Sequence, residues 1–297
     1  MKRFVQKAMI AGYDEGGSAE PTTPTDNRTS LKYWYSYLQD NWYTQADWEN
    51  YTEIEYGEPL EEIAYPTGTQ NVTEVEQFLC ICTYYEDLAG GYGQRLQGLP
   101  VTKMTGVLDL PNVTNASALL NYGGHLEDAG TIAFHKPLTD VSHMFSGCYN
   151  LKKVTLTGFD TSECVSFSRM FLSCYKLETL PISFDTSNGT DVSYMFYGCQ
   201  KLVSIPSLDL SSADNTKTSY MFDGCSNLEH IGITGTIGVS LDLKNCSKLS
   251  HDTLVAILNA LVPKTSGTWK LTIGSTNIAK LTQEELDIAT TKGWQVV

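Results

Sequence analysis

The sequence predicts an α/β solenoid of short parallel strands and one-turn helices, and three observations lead to this prediction. The phrase Met-Phe-x-x-Cys recurs at near-constant spacing, beginning at Met144, Met170, Met195 and Met221. A leucine stands three residues after the cysteine of each phrase and opens an apolar run. Phe-Asp-Thr-Ser also occurs twice, at 159–162 and at 184–187. Periods of this length are typical of stacked units that bury a continuous core against their neighbours.

The strands of the solenoid are predicted at 151–156, 177–182 and 228–233, where the apolar residues follow Leu-x-x-Leu-x-Leu spacing. This spacing is the leucine-rich repeat pattern, in which the strands line one parallel sheet. The unit before the last of these strands carries an insertion that includes Pro206. Because proline has no backbone N–H, Pro206 is predicted to bulge or interrupt its ladder.

Each one-turn helix is predicted to end in Met-Phe-x-x-Cys and to be capped by the Asp, Thr and Ser residues that precede it, as at 139–142 and 190–193. The apolar side chains of the phrase should stack on their equivalents, each stabilising the fold by about 1.5–3 kcal/mol. The cysteines, whose series extends to Cys246, are interpreted as reduced core thiols. The predicted structural ladder consists of Met144, Phe145, Cys148, Met170, Phe171, Cys174, Met195, Phe196, Cys199, Met221, Phe222 and Cys225.

The composition divides the chain into four predicted regions. Residues 1–30, rich in Gly, Ser, Thr and Pro, cannot bury enough apolar surface to fold alone and are predicted to be an extended tail or anchor. Residues 31–100 are predicted to form a small domain, acidic and rich in aromatic residues. Residues 101–250 are assigned to the leucine-rich repeat solenoid. Residues 251–297 are assigned to an α/β unit that caps its end.

The aromatic side chains of the region 31–100 are the candidate contact residues. Rings interleaved with acidic groups can bind sugars by stacking and by hydrogen bonds to hydroxyls. They are also typical of a protein interface or of the core of a small domain, which is the favoured interpretation. Both interpretations stay open. The candidates for partner or glycan contact are Tyr33, Trp34, Tyr37, Trp42, Tyr43 and Trp48.

The C-terminal cap is predicted to alternate helix and strand. Apolar residues with helical spacing predict a helix at 252–261, and alternation predicts strands at 269–273 and 293–297. A second helix is predicted to begin after Thr282, because Glu285 three residues later completes a capping box. Such a unit covers the core that a last repeat would otherwise expose.

The charge and hydropathy exclude several classes of function. A net charge of −14 repels nucleic acid phosphates and anionic membrane surfaces, so the prediction is no nucleic-acid partner. No apolar run approaches the roughly 20 residues of a membrane helix, and none suits a signal-peptide core. The sequence therefore predicts a soluble chain with no membrane insertion and no secretion signal.

No arrangement in the sequence points to catalysis. The five histidines have no metal-ligand spacing, and the cysteines form no Cys-x-x-Cys pair. Carboxylate pairs for glycoside hydrolysis cannot be recognised from one-dimensional spacing. We therefore predict a non-enzymatic protein with no catalytic residue, no cofactor and no metal.

The repeats resemble the BspA-like leucine-rich repeat family of surface proteins. The resemblance is carried by Phe-Asp-Thr-Ser and by Thr-Asp-Val-Ser-Tyr-Met-Phe-Tyr-Gly-Cys, and it covers about 139–245. The segments 271–277 and 289–294 look like the end cap that accompanies such repeats in gut anaerobes and their phages. The resemblance implies a non-catalytic adhesion protein. Bacterial members carry a secretion signal or lipid anchor, so the expectation here is a phage-encoded member.

The predicted function is that of a phage fibre or decoration protein, assembled in the host cytoplasm and located on the virion. Its N-terminal region would contact other virion proteins, and its repeats would contact a host-surface protein or glycan, with homo-oligomer formation left open. Two alternatives remain: a bacterial cell-surface adhesin, and a carbohydrate-binding module that uses the aromatic segment. The outward positions of the predicted strands are mostly small and polar, so contact through that face would be weak and multivalent.

Overall fold

A computed structural model describes residues 102–180 and 183–297, together with the backbone of three strands nearer the N-terminus. These strands are β1 (Ile63–Ala64), β2 (Cys80–Glu86) and β3 (Tyr92–Gly98). Strands β2 and β3 pair antiparallel. The predicted tail and the six aromatic contact candidates, from Tyr33 to Trp48, lie outside the described residues.

The described part of the chain is a mixed α/β structure with short parallel strands, as predicted. Strand β4 (Met104–Thr105) pairs with β1. A three-stranded parallel sheet then contains β5 (Val107–Leu110), β6 (Asp128–Phe134) and β7 (Lys153–Thr157). Buried residues alternate with exposed ones along β5 and β7, as one-sided packing requires.

A separate parallel pair follows, formed by β8 (Ser204–Leu210) and β9 (His230–Ile237). The prediction of one continuous sheet is not tested between β7 and β8, because residues 181–182 of the strand predicted at 177–182 lie outside the described residues. Within 177–180, an isolated parallel bridge joins Thr179 to Ser204 of β8.

Pro206 disturbs the pairing of β8 with β9, as predicted. The register between the strands shifts between Ile205 and Leu208. Gly232 on β9 faces this irregularity, and a Cβ atom there would lie 2.1 Å from the carbonyl oxygen of Pro206. Glycine is therefore required at this position, because no side chain fits against the displaced backbone.

The Met-Phe-x-x-Cys phrases form consecutive hydrogen-bonded turns, and the prediction of one-turn helices is wrong. In the first phrase, the N–H of Ser146 donates to the carbonyl of His143 over 3.0 Å, and that of Cys148 donates to Phe145 over 3.1 Å. His143 and Gly147 have φ values of 57° and 76°. A left-handed residue at every fourth position prevents the right-handed run that an α-helix needs.

The N–H groups between these turn bonds point to the next segment of the chain. Those of His143, Phe145 and Gly147 donate to carbonyls one repeat later, over 2.9, 2.9 and 2.8 Å. We call the segments 116–123, 141–148, 167–174, 192–199 and 218–225 the turn segments, and the bonds between them the turn ladder. Further ladder donors are Ala118, Leu120, Tyr122, Arg169, Phe171, Ser173, Tyr194, Phe196 and Gly198.

The side chains of the phrase fill the core beneath this ladder. Phe145 stacks on Phe171 at a centroid distance of 5.4 Å, and the stack continues through Phe196 to Phe222 at 5.9 Å per step. All twelve Met, Phe and Cys residues of the predicted structural ladder are at most 1% exposed. Burial of large apolar side chains of this kind contributes most of the stability of a stacked structure.

The buried cysteines also donate hydrogen bonds between segments. The Sγ atom of Cys148 lies 3.1 Å from the carbonyl oxygen of Leu120, and that of Cys174 lies 3.2 Å from the carbonyl oxygen of Phe145. Cys199 and Cys225 make the same contact. Each of these carbonyls also accepts a backbone N–H of its own turn, as the Phe145 carbonyl accepts that of Cys148, so the thiol adds a second hydrogen bond, between neighbouring segments.

Polar return segments connect the turn segments to the strands and back. The Oδ1 atom of Asp140 accepts the N–H of Ser142 over 2.8 Å. The predicted capping residues are therefore present, but they precede turns instead of helices. The buried hydroxyl of Thr186 both accepts the N–H of Asp209 and donates to its carbonyl, over 2.8 Å each. Such paired bonds fix neighbouring segments relative to each other.

The C-terminal cap contains the predicted elements and one that was not predicted. Its parallel sheet consists of β10 (Leu241–Asp242), β11 (Trp269–Thr272) and β12 (Trp294–Val296). Its helices are α1 (His251–Ala260), α2 (Gly274–Ile278) and α3 (Gln283–Thr291). The capping box of α3 has both of its hydrogen bonds. The short helix α2 lacks a side-chain cap, so no sequence signal marked it.

We expect the six described cysteines to resist alkylation in the folded protein. Burial raises the pKa of the Cys148, Cys199 and Cys246 thiols from 9.0 to about 12, so the reactive thiolate is scarce at pH 8. Because the folded pKa is the higher one, the corresponding stability is complete below pH 9 and is lost as the pH rises towards 12. Peptide mass spectrometry after iodoacetamide treatment at pH 8 measures this, and labelling of Cys148 without denaturant would contradict it.

We expect Met195→Asp to unfold the protein or to destabilise it by at least about 3–5 kcal/mol, because the carboxylate would be buried without a partner. Met195→Leu, which keeps an apolar side chain of similar volume, should cost less than about 1.5 kcal/mol. Thermal denaturation followed by circular dichroism distinguishes the two variants. Equal melting temperatures would show that Met195 does not lie in the core.

Candidate functional site

The exposed face with the most binding chemistry belongs to the turn segments. Tyr149 and Tyr175 follow the cysteines of the first two phrases, and their rings stack at a centroid distance of 5.5 Å and an interplanar angle of 11°. Tyr194 and Tyr220 precede the methionines of the last two phrases and stack at 5.0 Å. Tyr197 lies beside both of them. We call these five residues the tyrosine surface.

The turn geometry holds these rings outside the core. Tyr194 and Tyr220 both have a φ of 56°, as their equivalents His143 and Arg169 have values of 57°. The left-handed residue directly precedes the buried Met of the phrase, and its own side chain remains accessible. Tyr220 is accordingly 55% exposed.

The two halves of the tyrosine surface meet at Gly198. A Cβ atom on this residue would lie 3.2 Å from the ring of Tyr175, and its φ of 75° is left-handed. Glycine therefore allows the ring of Tyr175 to rest on the neighbouring turn segment, next to Tyr197. The exposed rings thus form two groups, Tyr149 with Tyr175 and Tyr194 with Tyr197 and Tyr220, and Gly198 of the second group's turn segment lies against the ring of Tyr175.

Positive charge borders the tyrosine surface. The guanidinium of Arg169 lies 4.9 Å from the centroid of the Tyr194 ring, a cation–π contact that holds both side chains in place. Partial burial, followed by the charge of Arg169, lowers the pKa of His143. His143 is therefore neutral at pH 7 and adds no second cation to this edge.

A groove adjoins the tyrosine surface where the last turn segment meets the cap. It has a cavity volume of about 430 Å³ and is lined by Tyr220 and by polar residues of β10 and β11. The Nζ atom of Lys244 pairs with Asp242 over 2.9 Å, and the side-chain amide of Asn245 donates to Asp223. The volume is within the range of pockets that bind small ligands or short segments of a macromolecule.

The outward positions of the strands carry mostly small polar side chains, as predicted. Within the described residues none of the twelve is buried. They are Lys153, Thr155, Thr179, Ser183, Ser204, Ser207, His230, Thr234, Ser240, Lys244, Lys270 and Thr272. Aromatic anchors are concentrated on the turn segments instead.

The titratable groups form isolated surface pairs. His135 lies 2.6 Å from Asp109, and His251 lies 2.9 Å from Glu285. Both pairs are exposed at the histidine, where water screens the interaction. Residues 102–180 and 183–297 contain no group of three His, Cys, Asp or Glu side chains arranged to hold a metal ion. No helix in the same residues is long and apolar enough to cross a membrane.

Sequence reasoning missed the tyrosine surface because it searched the strands for aromatic anchors. The signal was present at the flanks of the Met-Phe-x-x-Cys phrase. The position before Met carries His143, Arg169, Tyr194 and Tyr220, and the position after Cys carries Tyr149 and Tyr175. Because the phrase was predicted to be a helix, the sequence did not predict that the side chains flanking it point to the solvent.

Comparison with known proteins gives a family without an assigned function. Residues 134–234, about a third of the chain, match the family model described as "Mycoplasma protein of unknown function, DUF285". This range includes all four Met-Phe-x-x-Cys phrases and the five residues of the tyrosine surface. No curated protein and no solved structure matches the chain.

Proposed function

We propose that this chain is a non-enzymatic adhesion protein: a leucine-rich repeat solenoid of the BspA-like type that binds a host-surface macromolecule through the tyrosine surface. The observation that carries the proposal is the two stacked, accessible pairs of tyrosine rings, Tyr149 with Tyr175 and Tyr194 with Tyr220, the second of them beside Arg169. Tyrosine and arginine are the residue types enriched at the energetic centres of binding interfaces.

Two features support the solenoid. The turn ladder joins segments that are one repeat apart in the sequence, as in the bond from the N–H of Phe145 to the carbonyl of Met170. Every Phe of the phrase also stacks on its equivalent in the next segment. Contacts between sequential neighbours alone are the property that defines a solenoid.

Two features support binding through the tyrosine surface. Tyrosine rings that contact each other lose little conformational freedom on binding, so the entropic cost of fixing them is reduced. A row of aromatic faces repeated along a stack also offers several equivalent contacts, which favours multivalent attachment to a repetitive surface.

The proposed setting is a virion, with residues 1–100 attaching the chain to other virion proteins as a fibre or decoration protein. It is supported by the resemblance to phage-encoded members and by the composition of the N-terminal region. The bacterial cell surface is the alternative setting for the same binding activity.

We expect Tyr175→Gln combined with Tyr194→Ala to weaken binding to host cells by about 10- to 30-fold, since each change removes an aromatic anchor. The fold should tolerate both changes, because Gln200 and Ala118 occupy the equivalent positions. Flow cytometry with fluorescently labelled full-length protein and intact host bacteria measures the effect.

The matched control for this experiment is Thr155→Ala, which alters an exposed residue on the strand face. It should bind as the unaltered protein does. Loss of binding in the control, with full binding by the tyrosine variant, would place the contact on the strands and contradict the proposal.

We expect deletion of residues 1–30 to abolish incorporation of the protein into phage particles without changing the melting temperature of the remainder. Immunoblotting of gradient-purified virions measures incorporation. Incorporation at the normal level would contradict attachment through this region. Recovery of the native protein with a bacterial envelope fraction would instead identify the cell surface as its location.

A further inference from the structure

The turn ladder stops where the chain becomes shorter between successive cysteines. The step from Cys225 to Cys246 is shorter than each of the steps that join Cys148, Cys174, Cys199 and Cys225. The shorter segment that follows the turn segment 218–225 contains β10, which pairs with β11, and its Cys246 contacts the carbonyl of Phe222. The groove of about 430 Å³ lies between this shorter segment, the last turn segment and β11.

The shortened step leaves backbone donors without acceptors. In the preceding turn segment, the N–H groups of Tyr194, Phe196 and Gly198 donate to carbonyls of residues 219, 221 and 223, over 2.9, 3.0 and 2.7 Å. The equivalent donors in the last turn segment are the N–H groups of Tyr220, Phe222 and Gly224. Within the described part of the chain, none of these three has a hydrogen-bond acceptor. Tyr220 and Phe222 both line the groove.

The walls of the groove provide further contacts for an extended ligand. One face of the Tyr220 ring stacks on Tyr194, and the side chain is still 55% exposed. On the opposite wall, Lys270 of β11 is exposed, and its Nζ atom has no hydrogen-bond or ion-pair partner among the described residues. The Asp242–Lys244 pair lies between the walls. The groove therefore combines an aromatic face with hydrogen-bond donors and acceptors and with side chains of both positive and negative charge.

We propose that the groove binds an extended polypeptide segment of a partner protein, whose carbonyls continue the turn ladder by accepting the N–H groups of Tyr220 and Phe222. Each earlier layer of the ladder has a polypeptide in this place, with acceptors at alternate residues. The spacing of the free donors thus matches a main chain, as in the addition of a strand to an open sheet edge. A Tyr or Arg side chain of the partner fits over Tyr220, as Arg169 lies over Tyr194.

This site differs in kind from the tyrosine surface, since it recognises backbone carbonyls. Peptide binding in the groove stands whether or not the protein attaches to a host cell. The two activities are separable because Tyr149 and Tyr175 do not line the groove.

The test uses isotope-labelled full-length protein and a synthetic peptide with the sequence of residues 216–224. This sequence is chosen because its carbonyls at 219, 221 and 223 accept the N–H groups of the preceding turn segment in the protein itself. Amide hydrogen exchange is followed by NMR. In the free protein, the amides of Tyr220 and Phe222 should exchange fast while those of Tyr194 and Phe196 are protected. Peptide should slow exchange at Tyr220 and Phe222 and shift their resonances saturably.

Two variants separate the groove from general surface effects. Tyr220→Ala should weaken peptide binding by about tenfold, the effect of losing one aromatic contact. It should fold, because Ala118 occupies the equivalent position with a φ of 54°. Tyr122→Ser is the matched control: it removes an exposed tyrosine outside the groove, and Ser173 occupies the equivalent position with a φ of 62°. Its peptide affinity should equal that of the unaltered protein.

Several results would overturn the proposal. One is slow exchange of the Tyr220 and Phe222 amides in the free protein, and another is no saturable shift at millimolar peptide. Unchanged affinity in Tyr220→Ala would also overturn it. Chitotetraose and a hyaluronan oligosaccharide are the comparison probes: protection of the two amides by either sugar, without protection by the peptide, would make the groove a glycan site.

Discussion

The pairing of alternate backbone N–H groups with the next turn segment is the constraint on which the rest of the described structure depends. In each turn segment before the last, alternate donors close turns locally and the others reach the neighbouring segment, one repeat away in the sequence. This division is possible only because residues such as His143 adopt a left-handed φ. Since unpaired buried amides are costly, the ladder fixes both the spacing of the segments and the direction of their side chains.

The same constraint separates the core from the tyrosine surface. Within one phrase, Met195 and Phe196 lie inside while Tyr194 and Tyr197 lie outside. The core positions repeat the same residue types from segment to segment, because each ring or thiol must fit its equivalents. The outward positions vary from His143 to Tyr220, because only solvent and partners meet them. Variation at the flanks of an invariant phrase is therefore where binding specificity can be encoded without disturbing the fold.

The ladder also explains why its last layer differs from the others. An interior segment has its donors and acceptors satisfied on both sides, whereas an end segment needs a cap. The cap supplies this cover for the core: Cys246 donates to the carbonyl of Phe222, and Leu243 pairs with Thr272. It does not reach the amides of Tyr220 and Phe222. The end of the ladder thus combines a closed core with an open backbone edge.

The sequence by itself determined the α/β class with parallel strands, the burial of Met144, Phe145 and Cys148, the irregularity at Pro206 and the elements of the cap. These follow from hydrophobic spacing and capping residues, which act over short distances. Only the tertiary structure decided that the phrases are turns and that the exposed tyrosines stack in two groups along the turn segments. The reason is that the left-handed φ of Tyr194 is stabilised by hydrogen bonds to the next turn segment, which is distant in the sequence. The local conformational preference of tyrosine does not predict this φ.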